Sequence, residues 1–462
     1  MEENQQELQR GLKNRHVQLI SIGGAIGTGL FLGSGKSIQL AGPSILLAYL
    51  ITGGSCFLIM CALGELLLSN TDNHSFLDFV AEYLGKKAAF ITGWTYWFCW
   101  IAIAMADLTA IGMYVRFWAP NVPQWLPELI ALVLLLGFNL IAVSLFGELE
   151  FWFALIKVVA IIALILVGVY MLVTGYQTGF GPVSLSNLWS HGGFFPKGGN
   201  GFLLSFQMVT FAFVGIELVG LIAGETENPK KVLPEAINNI PIRIILFYLG
   251  ALIVIMSIYP WNSLQADKSP FVEVFAEIGV VTAATIINLV VLSAAASACN
   301  SAIYSTGRML RSLSQEGSAP KSFKKLTRHH VPGNALFFST IVILMAVILN
   351  YVMPEEVFTL ISSIATTCFL FVWSILVYTH MKYRRSMIGK KAHSFKMPFY
   401  PVSNILVFLF MIFICVVLFL GKDTRLSLIL TPIWFILLFV IYHFKYERKN
   451  KTQQTSPSKT GE

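Results

Sequence analysis

Runs of about twenty consecutive apolar residues recur along this chain, and no other feature restricts its fold as strongly. A helix needs ~20 mostly apolar residues to cross the hydrocarbon core of a bilayer. Twelve runs of that kind occur, at 17–35, 42–64, 88–106, 129–147, 151–173, 201–223, 244–266, 278–307, 331–354, 357–381, 397–421 and 426–444. Charged residues interrupt them rarely: Lys157 inside the fifth, Glu217 inside the sixth, and Glu65 and Asp107 just after the second and third. Backbone polar groups in lipid must be paired within the spanning segment, which favours helices, and the strict alternation of a membrane β-barrel is absent. Composition agrees. Charged residues are 12% of the 462 and hydrophobic residues 56%, against ~25% charged in an ordinary soluble domain. A soluble enzyme, a nucleic-acid-binding protein and a disordered chain are excluded, and the expectation is an all-α polytopic membrane protein with 12 transmembrane helices.

Lys and Arg orient the spans, because cytoplasmic loops carry an excess of them. With the N-terminus inside, 25 of the 32 basic residues fall in cytoplasmic segments and six outside, with Lys157 within a span. Both termini are therefore expected in the cytoplasm of a multi-pass cell-membrane protein, and the net charge of +8 is a topology signal rather than a nucleic-acid footprint. The acidic start Met1-Glu2-Glu3 does not resemble a cleavable signal peptide, so the first span is expected to be retained. Cys56, Cys61, Cys99, Cys299, Cys368 and Cys415 all fall inside apolar runs without metal-ligand spacing, which predicts free thiols. Residues 446–462, rich in Ser, Thr, Gln and Lys, read as a disordered cytoplasmic tail.

Two runs are poorly written as helices. The first contains Gly23-Gly24-Ala25-Ile26-Gly27-Thr28-Gly29, then Gly33 and Gly35, and each Gly costs ~1 kcal/mol relative to Ala in a helix interior. Gly29 and Gly33 fit a small-xxx-small packing face. The same run can instead be a broken membrane helix whose unpaired N–H and C=O groups face a cavity. A nucleotide-binding loop does not fit, since no Walker lysine pattern accompanies it. The sixth run carries the same oddity, Phe211-Ala212-Phe213-Val214-Gly215-Ile216-Glu217. Glycine-interrupted segments at corresponding places in two halves point to an inverted-repeat transporter with its site at the midplane. Half-helix N-termini suit a carboxylate and freed carbonyls an ammonium, the two ends of a zwitterionic amino acid.

Ionisable and polar residues within the runs extend that site. Lys157, too deep to snorkel, is either a proton carrier or a lysine bonded to carbonyls that fixes packing. Glu217 is a functional candidate or a cap on a half-helix. Glu65 and Asp107 read as solvated helix ends. Ser297, Asn300, Ser301 and Ser305 recur at helical spacing and either line a polar face or bond between helices. All eight histidines are expected in flanks or loops, without a His-Glu-x-x-His motif; no enzymatic constellation, cofactor site or metal site is expected, and no channel filter is visible.

Leu19-Ile20-Ser21-Ile22-Gly23-Gly24-Ala25-Ile26-Gly27-Thr28-Gly29-Leu30-Phe31 resembles the first-span signature of the amino-acid transporter family of the amino acid–polyamine–organocation superfamily. Gly64-Glu65-Leu66, Gly147-Glu148-Leu149-Glu150-Phe151-Trp152-Phe153 leading to Lys157, Glu235-Ala236-Ile237, Ser269-Pro270-Phe271 and residues 211–228 and 300–310 are similar too. Gly93-Trp94-Thr95-Tyr96-Trp97-Phe98-Cys99-Trp100, Phe195-Pro196-Lys197-Gly198 and Thr431-Pro432-Ile433-Trp434-Phe435 resemble the branch that carries D-serine, D-alanine and glycine. The resemblance implies a LeuT-like 5+5 inverted repeat with helices 1 and 6 broken: one repeat at about 17–175, one at about 200–383, and two extra helices at about 397–445. It implies symport of small neutral amino acids with protons, no cofactor, and no obligatory protein partner. By carry-over, Ile26, Gly27, Thr28 and Gly29 hold the substrate carboxylate. Phe211, Ala212, Phe213, Val214 and Gly215 meet its amino group, and Lys157, with Glu217, serves proton coupling. Ser297, Asn300 and Ser301 are the polar lining. A permease for proline, an aromatic amino acid or γ-aminobutyrate, and a non-transporting sensor of the same fold, are the alternatives.

Overall fold

The computed structural model describes residues 26–70, 73, 75–141, 143–217, 229–266, 268–277, 281–354, 356–387 and 395–447. Residues 17–25 of the first apolar run, 218–223 of the sixth, the N-terminal segment 1–16 and residues 448–462 of the tail lie outside them. Numbering helices of eight residues or more, the order is α1 (Gly33–Ala41), α2 (Ile45–Ser69), α3 (Phe76–Leu84), α4 (Lys86–Val115), α5 (Trp125–Ile141), α6 (Val143–Thr174), α7 (Gly198–Phe211) and α8 (Pro229–Asn238). They continue as α9 (Ala251–Ile258), α10 (Pro270–Glu277), α11 (Val281–Gln315), α12 (Gly333–Val352), α13 (Val357–Ser386), α14 (Val402–Leu420) and α15 (Arg425–Tyr442). Among the described residues, the only strands are a two-residue hairpin, Gln177–Thr178 with Gly181–Pro182. Nine helical stretches among those residues are long and apolar enough to cross a membrane, and α5 is a shorter apolar helix. The protein is a predominantly helical, polytopic membrane protein.

Local chemistry sets the ends of these helices. Gly42, at φ +59° ahead of Pro43, turns the chain sharply between α1 and α2, a backbone position that favours glycine. Ser75 caps α3: its hydroxyl accepts from Leu77 N–H (3.2 Å), and its own N–H donates to Asp78 (2.9 Å), a capping box. The seventh run differs from its expected bounds. Its helical stretch runs from Lys230 to Ile258, beginning well before residue 244 and ending ahead of Pro260, which cannot continue the ladder. Arg243, expected in a loop, is thereby buried. Within this stretch Ile244–Gly250 is π-helical. The fifth run likewise starts earlier, at Val143.

Packing follows a paired pattern. α4 lies against α11, where Cys299 Sγ reaches the Ala104 carbonyl at 3.6 Å. Small side chains let helices approach closely in a medium where apolar burial gives no drive. α1 packs on α7 and α5 on α12, α6 packs on α9 while α13 packs on α2, and α3 sits on α4 as α10 sits on α11. α14 and α15 are added on one side, over α2, α7 and α13, and expose rows of Ile, Leu and Phe suited to lipid. All six cysteines are free, five of them buried.

Two expectations fail here for one reason. Glu65 and Asp107 are not solvated helix ends; both are buried. α2 runs on to Ser69 and α4 to Val115, so each acid lies inside a helix longer than its apolar run. Glu65 Oε2 accepts from Arg384 Nη2 (2.9 Å) and the Met397 N–H (2.7 Å), and lies 3.0 Å from His380 Nε2; Arg384 Nε is 2.6 Å from Oε1. His380, expected in a flank, is wholly buried in α13, with Nδ1 3.1 Å from Asn404. The cluster joins α2, α13 and the approach to α14.

Candidate functional site

The first run is broken where its glycines fall. Gly27 is extended (φ −125°, ψ −162°), a single turn Thr28–Phe31 follows, and the chain kinks at Leu32 before entering α1. The N–H groups of Thr28 and Gly29 thus stand in a first turn, where helix geometry supplies no acceptor. In the sixth run α7 ends at Phe211, and from Phe213 onward N–H groups reach back three residues: Phe213 to Thr210 (3.0 Å), Val214 to Phe211 (3.1 Å) and Ile216 to Phe213 (3.3 Å). Gly215 adopts φ +91°, open to glycine and strained for other residues. Tyr248, from the π-helical segment, donates to the Ala212 carbonyl at 3.2 Å and stacks on Phe213.

The two breaks touch. A Cβ on Gly29 would lie 2.5 Å from Ala212 Cα, and one on Gly33 2.8 Å from the Met208 sulfur. Both readings of the glycines therefore hold: Gly29 and Gly33 form a packing face against α7 and its end, and the helix is also broken. Gly27 differs, since a Cβ there would find only Ala298 Cβ, 4.0 Å away.

That open space belongs to a cavity of about 40 Å³. Its walls are Gly27, Thr28 and Gly29 from the first break, and Phe211, Ala212, Val214 and Gly215 from the second. Trp100, Ile103 and Asp107 come from α4, Glu150 and Lys157 from α6, and Ala298 and Ser301 from α11. Thr28 Oγ1 donates to Asp107 Oδ1 at 2.6 Å. Lys157 Nζ donates to Ser297 Oγ at 3.1 Å, and Ser297 Oγ donates to Glu150 Oε1 at 2.8 Å.

Other expected residues fall elsewhere. Ile26 and Phe213 are buried in packing beside the cavity rather than on its wall. Ser297 stands behind the wall. Asn300 receives a bond from Asn139 of α5 (2.8 Å), an interhelical role, and Ser305 bonds back to the Ser301 carbonyl. Glu217 sits off the cavity between Tyr96 Oη (3.5 Å) and Trp373 Nε1 (3.4 Å). Asp107, Glu150, Trp100, Ile103 and Ala298 were missed as lining residues, yet helical spacing marks most of them. Trp100, Ile103 and Asp107 recur at i, i+3, i+7, and Glu150, Ala154, Lys157 and Ile161 at i, i+4, i+7, i+11, each set on one buried face.

The sequence matches the family described as amino acid permease across residues 16–455. The chain belongs to the amino acid permease family. Among its relatives, the uncharacterized transporter YdgF of Bacillus subtilis (strain 168) is 66% identical over 440 residues, 95% of this chain and 96% of that one. The amino-acid permease AapA of the same organism is 64% identical over 97% of each chain. The D-serine/D-alanine/glycine transporter of Escherichia coli (strain K12) is 51% identical over 438 residues, 94% of this permease and 93% of its own length. Family and relatives are transporters, so this permease is an integral membrane transporter of amino acids and not an enzyme.

Proposed function

We propose that this permease imports small neutral amino acids, D-alanine, D-serine and glycine among them, together with protons, by alternating access around the two broken segments. The observation that carries the reading is that both breaks and Lys157 line one small cavity. The substrate carboxylate sits at the Thr28 and Gly29 N–H groups, favoured by the partial positive charge of a helix start, and the ammonium meets the carbonyls of 211–215. Trp100, Ile103 and Val214 leave room for no more than a small side chain. The 51% identical D-serine/D-alanine/glycine transporter supports that substrate group.

Proton coupling rests on charge. Asp107 and Glu150 face one Lys157 around the cavity, so full ionisation leaves one negative charge uncompensated in the interior, a costly state. One bound proton removes it, and a zwitterionic substrate adds no net charge.

The architecture proposed is twelve spans in two inverted repeats plus α14 and α15, with both termini in the cytoplasm and the domain limits given above. Its support is the paired packing: α1 with α7, α4 with α11 and α5 with α12 are contacts between matching spans, and the α6–α9 contact exchanges with α13–α2 under the same correspondence. The test is uptake of labelled D-alanine into proteoliposomes, with and without an inward proton gradient and without sodium. Gradient-driven accumulation competed by glycine and D-serine supports the reading. Gradient-driven uptake of another amino acid instead moves the specificity alone, and binding without uptake across a full panel overturns transport.

A further inference from the structure

We infer that Ser297 and Glu150 form the inner half of the proton path, carrying the proton held on Lys157 to a carboxylate nearer the cytoplasm. This rests on the proton-coupled reading above. Lys157, Ser297 and Glu150 are joined in one line of donors, Lys157 Nζ to Ser297 Oγ at 3.1 Å and Ser297 Oγ to Glu150 Oε1 at 2.8 Å. All three are essentially inaccessible to solvent, at 1%, 0% and 1%. A hydroxyl can accept and donate at once, and here it does so between an ammonium and a carboxylate. The proton balance closes within the three groups. Ser297 Oγ takes a proton from Lys157 Nζ while passing its own hydrogen to Glu150 Oε1. Lysine ends neutral, serine unchanged and Glu150 a neutral acid. Glu150 then releases its proton to water on the cytoplasmic side, and the proton that had neutralised the site at Asp107 recharges Lys157, so the site returns to its fully ionised state.

Direction follows from the helix. In the proposed orientation α6 enters from the cytoplasm, and Glu150 precedes Lys157 by seven residues, about 10 Å along the axis at 1.5 Å per residue. Among the described cavity residues, the other charged group is Asp107 of α4, in the outer half of its helix and bonded to Thr28, and the other polar side chains on the wall are Thr28 and Ser301. The order from outside inward is therefore Asp107, Lys157, Ser297, Glu150. It links the substrate's carboxylate position at Thr28 to the inner exit. Ser297 lies behind the cavity wall, so the final transfer runs beside the substrate rather than through it.

The test uses full-length protein in proteoliposomes containing a trapped pH-indicating dye, with labelled D-alanine followed in parallel. Glu150→Gln keeps an oxygen that accepts from Ser297 but cannot take up a proton, so lumen acidification and accumulation are expected to fall at least tenfold. Ser297→Ala removes the bridge and is expected to cut both at least tenfold while counterflow exchange still runs; Ser297→Thr restores them. Wild-type protein that accumulates without acidifying the lumen refutes proton coupling itself. Wild-type acidification matched by Glu150→Gln, or by Ser297→Ala equally with Ser297→Thr, overturns the relay and leaves coupling standing. Should Glu150→Gln not assemble, the Ala–Thr comparison at 297 decides alone.

Discussion

Substituting Gly29 and Gly27 separately distinguishes contact between the two broken segments from the space they enclose. At Gly29 an added Cβ lies 2.5 Å from Ala212 Cα, 3.0 Å from Ala212 N and 3.2 Å from Ala212 Cβ, whereas carbon atoms rest at ~3.5–4.0 Å. The obstacle is main chain and cannot rotate aside, so the two segments must part by about 1 Å to relieve it. Overpacking of this kind costs ~1–3 kcal/mol, a ~5–150-fold shift against the arrangement in which the segments touch. At Gly27 the backbone is extended, available to any residue, and the nearest atom is 4.0 Å away. A methyl there enters the cavity without strain. The expected outcome for Gly29→Ala is a lower melting temperature in detergent, read by size-exclusion chromatography after heating, with uptake reduced at least fivefold. Gly27→Ala should melt like the wild type and bind substrate at least tenfold more weakly. Wild-type melting and uptake by Gly29→Ala would refute the contact; undiminished affinity in Gly27→Ala would refute the placement of the substrate.

Three further outcomes are expected. Lys157→Ala should abolish proton-driven accumulation in proteoliposomes while leaving measurable exchange; concentrative uptake by the variant removes Lys157 from the coupling. Trp100→Ala should open the side-chain end of the cavity, so that competition assays show larger neutral amino acids gaining at least tenfold over glycine, and an unchanged ranking would mean Trp100 does not set the size limit. Glu65→Gln should destabilise the fold by ~3 kcal/mol or more, because breaking a buried ion pair leaves its partner charge uncompensated; thermal unfolding of the purified variant measures it, and a melting point like the wild type's contradicts that estimate.

The span pattern was legible because lipid leaves one solution for an apolar run, and the two breaks because glycine inside such a run has a conformational cost. What the linear pattern obscured was depth. Glu65 and Asp107 follow their apolar runs in sequence, yet helix continues past both, to Ser69 and Val115, so end-of-run did not mean end-of-membrane. Ser297, Asn300 and Ser301 share a polar stretch but divide among a bridge, an interhelical bond and the cavity wall, since one residue turns a helix by ~100°. Glu217 is a buried acid, as expected, but its place between Tyr96 and Trp373 depends on helices more than a hundred residues away. Asp107 and Glu150 could have been reached by following the helical faces of Trp100 and Lys157.

The Glu65 cluster also constrains how the chain is made. Its carboxylate belongs to the second apolar run, whereas the groups that compensate it follow 315, 319 and 332 residues later, in His380, Arg384 and the Met397 N–H. At ~5–20 residues per second, synthesis needs on the order of twenty seconds to a minute to supply them. Throughout that interval the carboxylate lacks these three groups, which in the finished fold hold it where it is buried. The final third of translation thus supplies the guanidinium and imidazole that hold an acid made in the first, and a chain stopped short of Arg384 lacks the ion pair that ties α2 to α13.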